Sequence, residues 1–324
     1  MSILSNYLKK NASAAIIPSV FIVLLVTMMA RAQTTQPEPV AFPHCTSDIF
    51  TAVSEGSQLA PAQVTLQRVK LDTPQILELD PVGAPMLDAH YNAMGYNPQD
   101  DFLYAVKSHI GAYGELLKIG QNGAFEELGK LDGFDFRPVA AEFDEEGHMY
   151  VADDTDIYKY EFDGPGLPKF VSKQPLPKEA NFVRGVADIG LYNGFLWGIY
   201  TEADPGGAST NYKIVKINPE TLDSVLSVQF QTLDGSAEFT SVFAATNGIY
   251  AYDTKGGSFV KMLNMQSGDP NLITLEKLAV GRTFSGSDGA KCQTSPLGLP
   301  AEIAVTKTSE QSAIIPAYNL YTEG

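Results

Sequence analysis

Asn193-Gly194-Phe195-Leu196-Trp197-Gly198 reads as a tight turn feeding a buried strand. Asn-Gly favours the two-residue hairpin turns whose twist matches paired strands. The triplet behind it is aliphatic, then aromatic, then small. Outward in both directions that triplet returns as Ile49-Phe50-Thr51, Leu103-Tyr104-Ala105, Met149-Tyr150-Val151 and Ile249-Tyr250-Ala251. The five aromatic positions are separated by 54, 46, 47 and 53 residues, a period that belongs to propeller blades.

A second motif follows each triplet: Leu66-Gln67-Arg68-Val69, Leu117-Lys118-Ile119, Tyr158-Lys159-Tyr160, Val215-Lys216-Ile217 and Phe259-Val260-Lys261-Met262. Each sets one base beside apolar residues. From aromatic to base the gap is 18, 14, 9, 19 and 11 residues, so the strands recur while the loop between them varies, as in repeat arrays that carry insertions on one face. Turns at Glu146-Gly147 and Asn247-Gly248 precede two further triplets. Short apolar runs such as Val139-Ala140-Ala141-Glu142-Phe143 lie upstream, and runs such as Phe125-Glu126-Glu127-Leu128-Gly129 lie downstream. Each unit is therefore four short strands.

A four-stranded sheet with apolar residues on both faces must be covered on both, and stacking like units in a ring achieves that. The expectation is an all-β propeller of five four-stranded blades, with six blades as the alternative. The first unit lacks its opening strand, and the stretch from Gly281 to Cys292 has no unit of its own to complete. That C-terminal segment is expected to supply the missing strand. The chain has two cysteines, Cys45 and Cys292; an even pair in an oxidising compartment reads as a disulfide, here latching the ring, and the alternative is two free thiols. The repeated aromatics are read as core, and the repeated bases as stems packed between blades with their charges paired to acids.

Lys9 and Lys10, the apolar stretch Ala14–Ala30 and the small-residue site Ala30-Arg31-Ala32 follow the order of a secretory signal peptide. The organisation expected is a signal peptide over 1–32, a linker over 33–44, the propeller over 45–292 and a tail over 293–324. The protein is then secreted, with no stable membrane insertion once the signal is cleaved; an uncleaved N-terminal anchor tethering it to the membrane is the alternative. Lys and Arg total 22 against 38 Asp and Glu, a net charge of −16. No basic run exists to neutralise phosphates, so nucleic acid is excluded as a partner.

Tyr91-Asn92-Ala93-Met94-Gly95-Tyr96-Asn97, Asp101-Phe102-Leu103-Tyr104-Ala105-Val106, Gly114-Glu115-Leu116-Leu117-Lys118-Ile119-Gly120 and Ser287-Asp288-Gly289-Ala290-Lys291-Cys292 resemble an uncharacterised family of secreted microbial β-propeller domains. The resemblance implies fold and export. Phe143-Asp144-Glu145-Glu146-Gly147-His148-Met149-Tyr150-Val151-Ala152-Asp153 is also similar to blades of the NHL and gluconolactonase-like propellers, over about a dozen residues.

Candidate ligand-binding residues are those entering the innermost strands: His90, Asn92, Arg137, Arg184, Asp188 and Glu238. Polar groups converging on a tunnel mouth suit a small ligand; the competing expectation is that they bond loop backbone. Asp153-Asp154-x-Asp156 is a candidate calcium ligand set without the full spacing of a calcium loop, and no other cofactor is implied. No nucleophile motif or His pair with metal spacing occurs. The function expected is a non-catalytic binding or surface-interaction module for an extracellular protein or carbohydrate. A metal-dependent lactonase or hydrolase of the gluconolactonase-like kind is the alternative. The long loop Thr201–Asn211 is the expected partner contact in the non-catalytic case.

Overall fold

A computed structural model describes residues 37–55, 63–73, 76–86, 90–178, 186–201, 211–228, 231–232, 239–281, 283 and 287–298. The chain divides into two units, Met1–Pro37 and Glu38–Gly324, and the second carries the blades. The signal peptide, most of the Thr201–Asn211 loop and the tail beyond Gly298 lie outside the described residues.

Blade 1 contains β1 (Ile49–Glu55), β2 (Gln63–Thr73) and β3 (Ile76–Pro81). Blade 2 is β4 (Tyr91–Asn97), β5 (Phe102–Lys107), β6 (Glu115–Ile119) and β7 (Phe125–Lys130). Blade 3 is β8 (Pro138–Phe143), β9 (His148–Asp153), β10 (Asp156–Glu161) and β11 (Lys169–Pro175). Blade 4 is β12 (Ile189–Tyr192), β13 (Phe195–Thr201), β14 (Asn211–Ile217) and β15 (Ser224–Leu226), with the short β16 (Gln231–Thr232) paired to the start of β14. Blade 5 is β17 (Phe239–Ala245), β18 (Gly248–Asp253), β19 (Ser258–Leu263) and β20 (Thr274–Gly281).

The last strand, β21 (Ser287–Lys291), returns to blade 1 and pairs antiparallel with β1, Phe50 facing Ala290 and Ala52 facing Asp288. The count is five blades, and the C-terminal segment supplies the missing strand. The innermost strands touch in the order β21, β4, β8, β12, β17 and back to β21, which closes the ring. The rim closes at the same place: β20 pairs in parallel with β3, Val280 facing Ile76 and Gly281 facing Leu77.

The latch is a disulfide between Cys45 and Cys292, with Cα atoms 5.3 Å apart. It lies where the chain enters and leaves the propeller, and Ser295 Oγ donates to Thr46 O at 2.7 Å beside it. Ahead of Cys45, the incoming segment lies on blade 2. Gln121 N donates to Val40 O at 2.8 Å, Phe42 N donates to Asp101 O at 2.8 Å, and the Phe42 ring packs edge-on against Phe50, centroids 4.7 Å apart.

Alternation along the strands divides the core into five apolar clusters, one per seam between blades. The repeated aromatics all face the following blade: Phe50 lies between blades 1 and 2, Tyr104 between 2 and 3, Tyr150 between 3 and 4, Trp197 between 4 and 5, and Tyr250 between 5 and 1. All five are 3% exposed or less. The repeated bases sit directly across the sheet from them, in the pairs Phe50–Arg68, Tyr104–Lys118, Tyr150–Lys159, Trp197–Lys216 and Tyr250–Lys261. Each cation lies over its ring, at 5.9, 5.9, 5.4, 5.4 and 5.5 Å from the centroid, within cation–π range. Acid pairing is part of the arrangement at Arg68 with Asp48 and Lys118 with Asp100. Lys159 and Lys216 instead donate to the carbonyls of Pro219 and Gly268. The regular spacing of bases therefore has a physical cause, one cation capping one buried ring per blade.

Asn193 and Gly194 both have positive φ, 50° and 74°, as a type I′ turn requires. At Asn247-Gly248 only the glycine is positive, at 140°.

Candidate functional site

Closing five sheets around an axis creates a specific problem. Each innermost strand has one edge with no neighbouring strand, so its N–H and C=O groups face the axis and must find partners there. Three carboxylates supply acceptors. Asp188 Oδ1 accepts from Ile189 N at 2.8 Å and Oδ2 from Val242 N at 2.5 Å. Asp288 Oδ1 accepts from Gly289 N at 2.9 Å, and its Oδ2 from Met94 N. Glu142 Oε1 accepts from Phe143 N at 2.9 Å and Oε2 from Leu191 N at 3.3 Å. All six oxygens are engaged, each acid taking one N–H from its own strand and one from the next blade. Asn92 performs the converse task, donating from Nδ2 to Pro138 O at 3.2 Å and Val139 O at 3.5 Å. Four of the five seams are thus stapled by a polar side chain. At the fifth, blade 5 to blade 1, close approach replaces the staple: a Cβ on Gly289 would lie 2.4 Å from Phe243 Cε1 and 2.8 Å from Ser241 Cβ.

Burial sets the electrostatics. Asp188 and Asp288 are 0% exposed and Glu142 is 4% exposed. Asp188 and Asp288 lie near enough to interact electrostatically. Burial pushes both well above the usual carboxylate range, and for Asp188 the charge of Asp288 adds to it. Burial also lifts Glu142 to about 8, against the pull of the Phe143 and Leu191 N–H groups and the Lys291 charge. Lys291 is pushed down to about 8 by burial, opposed by Glu142 and Asp48. Its Nζ donates to Cys292 O at 2.9 Å, to Ser295 O at 2.8 Å and to Ser295 Oγ.

At the end of the axis where the innermost strands begin, a second polar group assembles. His90 precedes β4, and its Nδ1 contacts Ser108 Oγ while Ser108 N donates to His90 O at 2.7 Å. His109 follows, with its buried Nδ1 lacking a hydrogen-bond partner among the described residues. Arg137 precedes Pro138, whose carbonyl Asn92 holds, so blades 2 and 3 meet at this corner. Burial, then the charges of His109 and Arg137, hold the His90 pKa below the ordinary histidine value. Beside these groups Ile110 is 63% exposed and Phe136 is 56% exposed.

Of the residues expected at the tunnel mouth, His90 and Arg137 meet at this corner, Asn92 bridges blades 2 and 3, and Asp188 is enclosed on the axis. Arg184 and Glu238 lie outside the described residues. Sequence reasoning missed Glu142, Asp288, Ser108 and His109. An acid inside the apolar run Val139–Phe143, or opening the small-residue run Asp288-Gly289-Ala290, is the signal that marks the two axial acids.

Two turns gather acidic oxygens of the kind a cation would use. Asp153 is buried, and its Oδ1 accepts from Thr155 N at 2.7 Å and Asp156 N at 2.8 Å, capping the tight turn between β9 and β10. Asp144, Glu146 and His148 offer atoms within 4.8 Å of one another. There, Asp144 already accepts from His148 N at 2.8 Å, His148 Nδ1 at 2.7 Å and Tyr150 OH at 2.9 Å. Both arrangements lock hairpins.

No curated protein matches the chain. Solved structures that resemble it include a chain of a nidogen/laminin complex, at 11% identity and TM-score 0.42, covering 76% of this chain and 99% of that one. The periplasmic gluconolactonase of Pseudomonas aeruginosa gives 13% identity and TM-score 0.44, covering 75% and 70%. A gluconolactonase of Xanthomonas campestris gives 11% and 0.39, covering 75% of each chain. A family model described as a repeat of unknown function, DUF6923, matches residues 53–294, from within β1 to just past β21, and the chain belongs to that family.

Proposed function

We propose that the protein is an exported, non-catalytic binding module that takes an extracellular protein or carbohydrate ligand on the face where the innermost strands begin. The observation that carries this is the state of the axial acids. Glu142, Asp188 and Asp288 are enclosed, and every one of their oxygens accepts a backbone N–H. Groups so enclosed and engaged hold blades together and have no open coordination position to offer a substrate. What reaches the surface there instead is Ile110 and Phe136, both exposed, beside the half-buried His109 and Arg137 and the buried His90 and Ser108, a composition suited to recognition. The Cys45–Cys292 disulfide and the N-terminal pattern of charge and hydrophobicity support export.

The test is an array of extracellular glycans and matrix proteins, probed with the wild type and with the double variant Arg137→Gln, Phe136→Ala. The expected result is a retained ligand that the double variant loses while its melting temperature is unchanged. Turnover of a lactone by the wild type, abolished by chelating calcium, would transfer the protein to the metal-dependent lactonase class.

A further inference from the structure

We infer that Asn193-Gly194 is a site of spontaneous main-chain modification, at which the protein ages through one hairpin of blade 4.

Asparagine amides are chemically labile, and a following glycine puts no side chain in the way of its own main-chain nitrogen. The chemistry needs only water. The Gly194 nitrogen, its proton taken by base, attacks Asn193 Cγ; a C–N bond forms and the side-chain amide leaves as ammonia. Water then opens the cyclic imide at either carbonyl. One opening gives aspartate, the other an isoaspartate whose main chain carries an extra methylene. Nothing is oxidised or reduced.

Three Asn-Gly pairs occur in the sequence, Asn122-Gly123, Asn193-Gly194 and Asn247-Gly248, and the fold treats them differently. Asn122 is pinned at both ends of its amide: Oδ1 accepts from Val40 N at 3.2 Å and Nδ2 donates to Glu38 O at 3.0 Å. Gly123 N is engaged too, donating to Gly120 O at 2.9 Å. Asn247 is held in the same way. Its Nδ2 donates to Leu297 O and its Oδ1 accepts from Leu297 N, each at 3.0 Å. Gly123 and Gly248 are both buried. These two asparagines tie down the segments that enter and leave the propeller.

Asn193 is the exception. Asn193 and Gly194 are both exposed, and nothing lies within 4 Å of the position a Gly194 Cβ would take. Among the described residues neither the Asn193 amide nor Gly194 N makes a hydrogen bond. Nucleophile and leaving group are thus both free. The turn has to open for Cγ to reach the nitrogen, and on one side it is held by β12, a strand of four residues. A tip at the end of so short a strand opens at little cost.

The modification is felt inside the blade. Tyr192 pairs with Phe195 across the turn, and Tyr192 O accepts from the indole of Trp197 at 3.1 Å, the one tryptophan of the chain. An isoaspartate at the tip lengthens the main chain between the paired residues and displaces that carbonyl from the indole.

The test incubates the folded protein, disulfide intact, in mildly alkaline buffer and maps its peptides by mass over time, with the urea-unfolded chain as reference. In the folded protein Asn193 is expected to convert at least about tenfold faster than Asn122 or Asn247, since each of those must first give up two hydrogen bonds. In the unfolded chain the three should convert at similar rates. Asn193→Gly keeps a Gly-Gly turn and removes the reacting amide, so the slow change in tryptophan emission expected of the wild type should vanish in it. Conversion at Asn122 or Asn247 that matches or outruns Asn193 in the folded protein overturns the inference. So does an Asn193 that stays intact on folding while all three convert in urea. An emission change that persists in Asn193→Gly overturns the link to Trp197.

Discussion

The Nζ of Lys216 lies 5.4 Å from the ring centroid of Trp197, directly across the β13–β14 pair. The same cation is 3.7 Å from the Phe195 centroid and donates to Gly268 O at 2.8 Å. One side chain therefore covers an aromatic pair and anchors the turn after β19. Lys216→Met keeps much of the stem and removes the charge, and is expected to cost about 1–2 kcal/mol. Trp197→Ala should cost about 3–5 kcal/mol by emptying the seam between blades 4 and 5. A double-mutant cycle measured by chemical denaturation should find the two positions coupled; strict additivity would show that the cation only covers the ring without stabilising it.

The axial acids make stability fall as pH rises. The pKa of Glu142 is about 8 in the folded protein against 4.5 for a free glutamate. Its contribution is complete below about pH 4.5 and is lost as pH climbs through 8. Asp188 and Asp288 are shifted the same way. Lys291, held near 8 instead of 10.5, acts in the opposite sense, its contribution being lost as pH falls through 8. Between pH 5 and 7 the acids set the slope, so the melting temperature should decline across that interval. Glu142→Gln should flatten the decline, because an amide still accepts one of the two N–H groups. A melting temperature that rises over the same interval would contradict the assignment.

Joining Cys45 to Cys292 encloses almost the whole propeller in one covalent loop, for which chain entropy allows roughly 4–5 kcal/mol. Cys45→Ser with Cys292→Ala should lose a large part of that, and hydrogen exchange should quicken first in β21 and β1. Uniform quickening through all five blades would mean that the bond stabilises the ring without holding its junction.

Gly289 stands where no side chain fits. The Cβ of Gly289→Ala would meet the edge of Phe243 at 2.4 Å, and moving that buried ring should cost about 1–3 kcal/mol. The paired variant Phe243→Leu should recover part of the loss if steric crowding is the cause.

The repeat was legible because it rests on local chemistry. Leu196-Trp197-Gly198 and its four counterparts mark the strand that feeds both seams, and the bases mark the strand opposite. Ring closure was legible for a related reason, since a unit without a first strand and a strand without a unit need one another. The axial staples were not legible. Asp188 and Asp288 lie 100 residues apart, and Glu142 sits in a run of apolar residues. What joins them is that each lies on an inner edge facing the axis, a relationship the closed ring creates. The corner at His90 was legible only in part, because Ser108 and His109 come from the loop after β5 and not from a segment entering an innermost strand.

Thr46 and Ser295 are bonded neighbours although 249 residues separate them. The segment that enters blade 1 and the one that leaves it are therefore tied together at one spot, by this bond and by the adjacent disulfide. A toroid built in this way resembles a bead hung from a thread more than one strung on it. The covalent tie between Cys45 and Cys292 lets the ring keep its closure at that point of suspension.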